Sequence, residues 1–420
     1  MTRTRNLGAG RTLIFRRLGA LVATLIACVG ATAALPAVRA ITAFIDLDAQ
    51  HYAQQFADTA ARLKIAQARF EAAGFTVQTV RITTQPFMRY VGALSREQAL
   101  ALLTHLDELG RKEQIAINIG PAVLDDRPDP RALALLEEVQ AQGLQLNASM
   151  IIADETGIHW STIRAAAHHV ARVAARSAHS QGTFAFAATA MLNPGSPFFP
   201  GSYHTGQPGR FAVGLQSAGT VAEVFARAHG DAPAATRALA DALSGYARTI
   251  QQLAPDIEAR TGWSFWGFDP TPAPLKEDSI GTALEAFQPA TLGSPGSMTA
   301  AYVITEAERQ VPGPRVGYSG LMLPVLEDSR IAQRWGEGAV NLDSLLAYSA
   351  VCATGLDTVP LPGDVTEAQL ARIMGDVAVL AYKWRKPLTA RLQPVHGRKA
   401  GEMTEFDNPF MVNTRLQALK

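Results

Sequence analysis

Apolar and polar positions alternate with a period of two over Arg39–Asp48 (RAITAFIDLD), then change to helical spacing over Gln54–Ala73, which Gly74 closes. The same switch recurs along the first third of the chain. Phe75–Ile82 reads as a second strand and Ser95–Leu109 as a helix whose Ser95-x-x-Gln98 start fits a capping box. Gln114–Gly120 is a third strand, Pro130–Gln142 a helix and Leu144–Ile152 a fourth strand. Strands that alternate with helices in this way predict parallel α/β construction.

The middle of the chain is alanine-rich, with helices predicted over Trp160–Ala178, Val221–His229 and Ala234–Arg260. Strands are predicted near Thr183–Ala188 and Arg210–Leu215, with the loop Leu192–His204 (LNPGSPFFPGSYH) between them. From Trp263 the alternation resumes: helices start at Asp278 and Ser297, a strand lies around Gly320–Val325, and a short helix covers Asn341–Cys352. Gly355–Leu361 and Leu388–Val395 read as strands flanking a helix over Thr366–Arg385. That helix opens with a Thr366-x-x-Gln369 box and carries Leu370, Ile373, Met374 and Val377 at helical spacing. About ten strands with no linker and no internal repeat favour one barrel-like or doubly wound domain over residues 38–420.

Composition narrows the class. Of 420 residues 48% are hydrophobic and 18% charged, an ordinary globular balance. The 38 basic groups include Arg3, Arg5, Arg11, Arg16 and Arg17, all ahead of the first strand, so the remainder carries 33 against 37 acidic groups. A mildly acidic body gives nucleic acid no electrostatic footprint. The only cysteines, Cys28 and Cys352, are too few for an iron–sulfur cluster or a cysteine-rich zinc site. Residues 1–37 hold an uncharged run, Leu18–Leu35, behind Arg16-Arg17, the layout of a signal peptide or membrane anchor. Ala31-Thr32-Ala33 suits cleavage, and Leu25-Ile26-Ala27-Cys28 resembles a lipobox. The chain as written is therefore expected to be exported or tethered. A start codon placed too far upstream is the alternative, and it makes the protein cytoplasmic.

Candidate chemistry concentrates after residue 190. The turn Gly293-Ser294-Pro295-Gly296-Ser297 enters a helix, an arrangement that either caps it or cradles an anion. Asp278-Ser279 and Glu327-Asp328 stand at helix starts, where a carboxylate either caps or faces a pocket. Cys352 lies near a helix end, which disfavours a thiolate, so a buried structural thiol is the simpler reading. His168 and His169 point apart on one helix, leaving His204 as the histidine of interest. Lys386, Arg391 and Lys399 bracket the last strand and read either as an anion clamp or as surface charge.

The segments FFPGSYH (Phe198–His204), EDSIG (Glu277–Gly281), GSPGS (Gly293–Ser297), SGLMLPVLED (Ser319–Asp328), YSAVCATGLDTVPLPGD (Tyr348–Asp364), KPLTARL (Lys386–Leu392) and GRKAGEMTEF (Gly397–Phe406) occur here in one order. In these the chain resembles an uncharacterised bacterial and archaeal family, the domain-of-unknown-function family seven hundred and eleven. That resemblance implies a ten-stranded α/β barrel similar to pyruvate formate-lyase with helices wrapped outside, a homodimer, and a neighbouring ACT-domain protein linked to amino-acid metabolism or sensing. It does not imply a glycyl radical, because Arg315-Val316-Gly317-Tyr318 is one residue short of the radical-loop pattern and is not C-terminal. The expectation is a non-radical enzyme acting on a small anionic metabolite at a barrel mouth. Asp278, Glu327, Asp357 and His204 would serve as acid–base groups. Gly293, Gly296, Ser297, Ser279, Ser319, Asp328, Cys352, Arg391 and Lys399 would serve as ligand contacts, with no metal or other cofactor identified. The rivals are a catalytically inactive ligand-binding or regulatory module, and a structural dimer with a filled pocket.

Overall fold

In the computed structural model, residues 36–287, 289–351 and 354–419 are described. The expectations for residues 1–35 and for Cys352 lie outside them. Ten strands form one mixed sheet: β1 (Ala37–Ile45), β2 (Val80–Thr84), β3 (Ile115–Val123), β4 (Leu146–Asp154), β5 (Gly157–Ile158), β6 (Phe186–Ala190), β7 (Arg210–Gln216), β8 (Ser264–Asp269), β9 (Gly355–Pro362) and β10 (Leu388–Val395). Their order is β8-β7-β1-β2-β3-β4-β6-β10-β9, with the two-residue β5 appended to β4. β1, β2, β3, β4 and β6 run parallel. β7 is antiparallel to β1 and β10 antiparallel to β6, and each carries a parallel neighbour, β8 and β9. The sheet is thus a central block of five parallel strands flanked at each edge by a parallel pair running the opposite way.

Strand pairing does not close the sheet: β8 and β9 are its free edges. The stretch expected as a strand at Gly320–Val325 forms instead one isolated parallel bridge, Pro324–Asp357 to β9, and Arg315 ahead of it forms another, Phe268–Arg315 to β8. Between them Gly317 and Ser319 take positive φ, which breaks the extended run. Other boundaries shift modestly. β2 begins at Val80 because Phe75–Thr79 contributes one bridge only, Val38–Val77.

One face of the sheet is apolar and covered by helices. Ile41, Ala43 and Ile45 of β1, Ile117 and Ile119 of β3, and Ala148, Met150 and Ile152 of β4 join a single buried core with Phe56, Leu63 and Phe70 of the Tyr52–Ala72 helix. Each of the Ile, Leu, Met and Phe side chains contributes about 1.5–3 kcal/mol on leaving water. Helix ends are fixed locally. The Arg96–Glu113 and Glu367–Trp384 helices both open with complete capping boxes, Ser95 with Gln98 and Thr366 with Gln369. Thr366→Ala should lower unfolding stability by about 1 kcal/mol in urea titrations, with the slope unchanged.

The alternate residues of the strands point to the opposite, polar face, which curls around the loop between β6 and β7. Thr42 donates to Pro197 O (2.9 Å), Asn118 donates to Pro200 O (2.6 Å), and Thr83 and Ser202 share a hydroxyl contact of 2.6 Å. Glycine is needed where wall and loop touch. A Cβ on Gly214 of β7 would sit 2.9 Å from the Phe198 ring, and one on Gly201 would sit 2.6 Å from the Tyr318 hydroxyl. This inner loop is the main departure from the usual surface position of connecting segments. Among the described residues no helix is long and apolar enough to cross a membrane.

Candidate functional site

Between the inner loop and the polar face lies a cavity of about 830 Å³. Its wall includes the first residues of β1 to β4 and side chains of β9 and β10. Five of the buried charged groups on its wall form one cluster, Arg39, Arg81, Glu327, Asp357 and Arg391, and a sixth, Asp107, pairs separately with Arg111.

Two β-bulges place three of them. In β1, Val38 pairs with Leu215 and Ala40 with Gly214, so Arg39 is an extra residue. Between β9 and β10, Asp357 and Thr358 oppose Arg391 alone, since Leu356 pairs with Ala390 and Val359 with Leu392. Thr358 takes φ 45°, a conformation that costs a β-branched residue about 1–3 kcal/mol, and its hydroxyl accepts from Leu326 N (3.2 Å). Bulges re-aim side chains, and here they direct charge to the inner face. Asp269 fixes a further part of the wall. Its buried carboxylate accepts from Thr271 N and Oγ1, Tyr318 N and Ser319 N, which sets Tyr318 against the cavity. Burial pushes the Asp269 carboxyl up to about 6.

Arg391 is the centre of the charge cluster. Its Nη1 donates to Glu327 Oε2 (2.8 Å) and Asp357 Oδ1 (3.2 Å), its Nε and Nη2 donate to Phe184 O, and its guanidinium lies 4.1 Å from the Phe184 ring centre. Burial alone would lower its pKa, but Glu327 and Asp357 outweigh burial and raise it. Arg39 approaches Glu327 Oε1 at 3.6 Å and donates to Gln78 (3.0 Å) and Gln216 (3.5 Å). Gln216 in turn donates to Asp278 Oδ2 (2.7 Å). The Asp357 carboxyl is pushed up to about 6 by burial, against the pull of Arg391 and with the Glu327 charge adding to the rise.

Arg81 differs from the other two arginines. Its Nε donates to Thr79 Oγ1 (3.0 Å), its Nη1 makes a long contact with Pro197 O (3.5 Å), and it lies 4.9 Å from the Phe199 ring centre. Among the described residues no carboxylate pairs with it. Burial, followed by the neighbouring Arg39 charge, pushes the Arg81 guanidinium down to about 9, so it remains cationic at neutral pH.

Of the residues expected from sequence, the structure brings together Glu327, Asp357 and Arg391, and links Asp278 to them through Gln216 and Arg39. The others lie elsewhere. Asp328 caps the Ser329–Gly336 helix, accepting from Arg330 N and Ile331 N, from Ser279 Oγ (2.7 Å) and from Gly281 N. Ser319 is spent on Asp269 and Val316 O. Gly293, Gly296 and Ser297 are not on the cavity wall. Ser297 Oγ accepts from Gly293 N and donates to Ser294 O, and a Cβ on Gly293 would collide with Ala339 O. His204 is buried at the far end of the inner loop, its Nε2 donating to Ile45 O (2.9 Å), and burial holds its pKa down. Lys399 is exposed, with its backbone N–H on Glu402. Among the described residues no group of three or more His, Cys, Asp or Glu is placed to hold a metal ion.

Arg39 and Arg81 were not anticipated. The available signal was an arginine between apolar or β-branched neighbours inside a strand: Val-Arg-Ala at 38–40, Val-Arg-Ile at 80–82 and Ala-Arg-Leu at 390–392. Such arginines are seldom buried without an ionic role.

Among solved structures, the anaerobic ribonucleotide reductase from Thermotoga maritima in complex with dATP and CTP matches 90% of this chain and 79% of its own at 9% identity. Its TM-score is 0.41, too low to bear on fold or function. Curated relatives are much nearer in sequence. A UPF0210 protein of Pyrobaculum arsenaticum is 32% identical over 353 residues, 79% of this chain and 77% of the relative. One of Pyrobaculum aerophilum is 32% identical over 346 residues, 78% and 76% of the two chains. The family model for Uncharacterised ACR (DUF711) matches residues 32–408, and the chain belongs to that family.

Proposed function

We propose that the protein is a non-radical enzyme acting on a small anionic metabolite held in the 830 Å³ cavity. The observation that carries this reading is Arg81, a buried cation on the cavity wall with no carboxylate ion-paired to it among the described residues. A buried charge left uncompensated costs several kcal/mol, so the site is built for an anion that arrives with the ligand. Asp357 is the acid–base group in this reading. A carboxyl near 6 can both take and return a proton at neutral pH, and Arg391 stabilises its ionised form.

The sheet serves in this reading as a ten-stranded barrel whose last stave is the irregular segment 314–325. Support comes from its bridges to both free edges. A second reading, a binding module without catalysis, is favoured by one observation: Glu327 and Asp357 are both already ion-paired to Arg391.

A thermal-shift screen against amino acids, keto acids and phosphorylated metabolites, with and without divalent metals, tests the anion site. At least one anion class should raise the melting temperature, and Arg81→Gln should remove the shift. The absence of a shift in every class sinks the proposal. Incubating a hit with the protein and following it by NMR then separates the readings, since conversion that Asp357→Asn abolishes supports the enzyme and unchanged ligand supports the module.

A further inference from the structure

We propose that the anion this cavity takes is a carboxylate carried on an apolar, partly aromatic body, and not a phosphate. The inference rests on the anion-site reading above and narrows its ligand class. Charge balance is the first argument. Within the buried cluster three guanidinium groups face two carboxylates, which leaves one positive charge there for a ligand to neutralise, while Asp107 elsewhere on the wall is already paired with Arg111 and Asp407 is exposed at the rim. A carboxylate supplies one negative charge. A phosphate monoester brings up to two, and the second would face Glu327 and Asp357 in a poorly solvated space, where like charges repel strongly.

Donor geometry is the second argument. Thr79 occupies Nε of Arg81, while Nη1 has only the 3.5 Å contact to Pro197 O and Nη2 makes no hydrogen bond to a described residue. The free Nη1–Nη2 edge is a planar two-donor fork, which matches the two oxygens of a carboxylate. Phosphate sites commonly add backbone N–H groups from a glycine turn at a helix start. The turn of that kind in this chain, Gly293–Ser297, is off the wall and uses its own polar groups.

The body follows from the rest of the wall. Phe199 stacks on Arg81 and Phe184 on Arg391, and Phe198, Tyr318 and Met322 extend the apolar surface. An acid of two or three carbons leaves most of 830 Å³ unfilled and these rings uncovered. An arylalkyl acid covers them, and its burial adds to the carboxylate contact.

Calorimetric titration of the full-length protein with 3-phenylpropionate, phenyl phosphate and acetate tests the assignment. In the wild type, 3-phenylpropionate should bind at least about tenfold more tightly than either of the others. Arg81→Gln should weaken it by about tenfold or more, and Phe199→Ala should weaken it while leaving acetate unchanged. Equal or tighter binding of phenyl phosphate, lost in Arg81→Gln, overturns the carboxylate assignment and leaves the anion site standing. Acetate binding as tightly as 3-phenylpropionate overturns the apolar body. No binding of any of the three overturns the anion-site reading and this inference together. The wild-type ratios need no variant, so they decide the matter even if Arg81→Gln does not fold.

Discussion

Replacing Arg391 by methionine is expected to destabilise the protein by about 3–5 kcal/mol at pH 7.5, more than any other substitution in the charge cluster. The methionine fills the apolar part of the space but leaves Glu327 and Asp357 buried near each other, with Arg39 at 3.6 Å from Glu327 as the remaining ion-pair partner and Arg81 acting at longer range. It also frees Phe184 O, which now accepts two guanidinium hydrogen bonds. The loss should depend on pH. Asp357 already sits at about 6 with Arg391 present, above the ordinary aspartate value of about 3.9. Without Arg391 it rises further. A carboxyl whose folded pKa exceeds its unfolded one favours folding at low pH and disfavours it as pH rises, so the variant should recover stability as pH falls from 8 through its raised pKa towards 5. Urea titrations from pH 5 to 8 measure this. A variant within 1 kcal/mol of the wild type at pH 7.5 would show that the cluster is solvated and that no enclosed ionic site exists. Adding Asp357→Asn to Arg391→Met should restore part of the loss, since the second carboxylate charge is then gone while Glu327 keeps Arg39 as its partner.

The opposite sign is expected at Glu308. This residue of the Ser297–Arg309 helix is fully buried, and neither carboxyl oxygen has a partner among the described residues. Arg315 passes close by but donates to the backbone carbonyl of Glu308 rather than to its side chain. Burial, reinforced by the nearby Asp269 charge, raises the Glu308 pKa well above its ordinary value. The folded protein therefore holds a proton that the unfolded chain releases, and stability falls with rising pH by about 1.4 kcal/mol per unit between the two pKa values. Glu308→Leu should remove that slope and increase stability at pH 7.5 by roughly 2 kcal/mol, the order of the penalty for an unsatisfied buried polar group. Denaturation of both proteins across pH 5–8 decides it. Equal slopes would mean that Glu308 finds a partner in solution.

Much of the fold was legible because its signals are local. The Leu388–Val395 strand and the Thr366 and Ser95 caps depend on residues within a few positions of each other, and the structure has them where the pattern put them. Gly320–Val325 misled for a non-local reason. It is apolar, but the positive φ angles just ahead of it at Gly317 and Ser319, where Asp269 about fifty residues earlier holds the backbone of Tyr318 and Ser319, interrupt the run and leave it one bridge. The site divides the same way. Glu327, Asp357 and Arg391 stood in motifs, whereas Arg39 and Arg81 lie in strands whose inward side is set by a bulge and by the path of the inner loop. No short-range pattern specifies either. The cap at Asp328 shows the converse: a helix start predicts an acid there whether or not a ligand is near.

In this molecule the polar face of the sheet is covered by a length of main chain, Leu192–His204, and not, among the described residues, by a second layer of helices or strands. Container and filling are consequently encoded in separate stretches of sequence. Shortening, lengthening or re-routing that one insert would reshape the chamber without repacking the helices outside, so ligand preference and scaffold stability can change independently. Grafting the insert between two scaffolds of this kind is the most direct way to transfer what the chamber accepts.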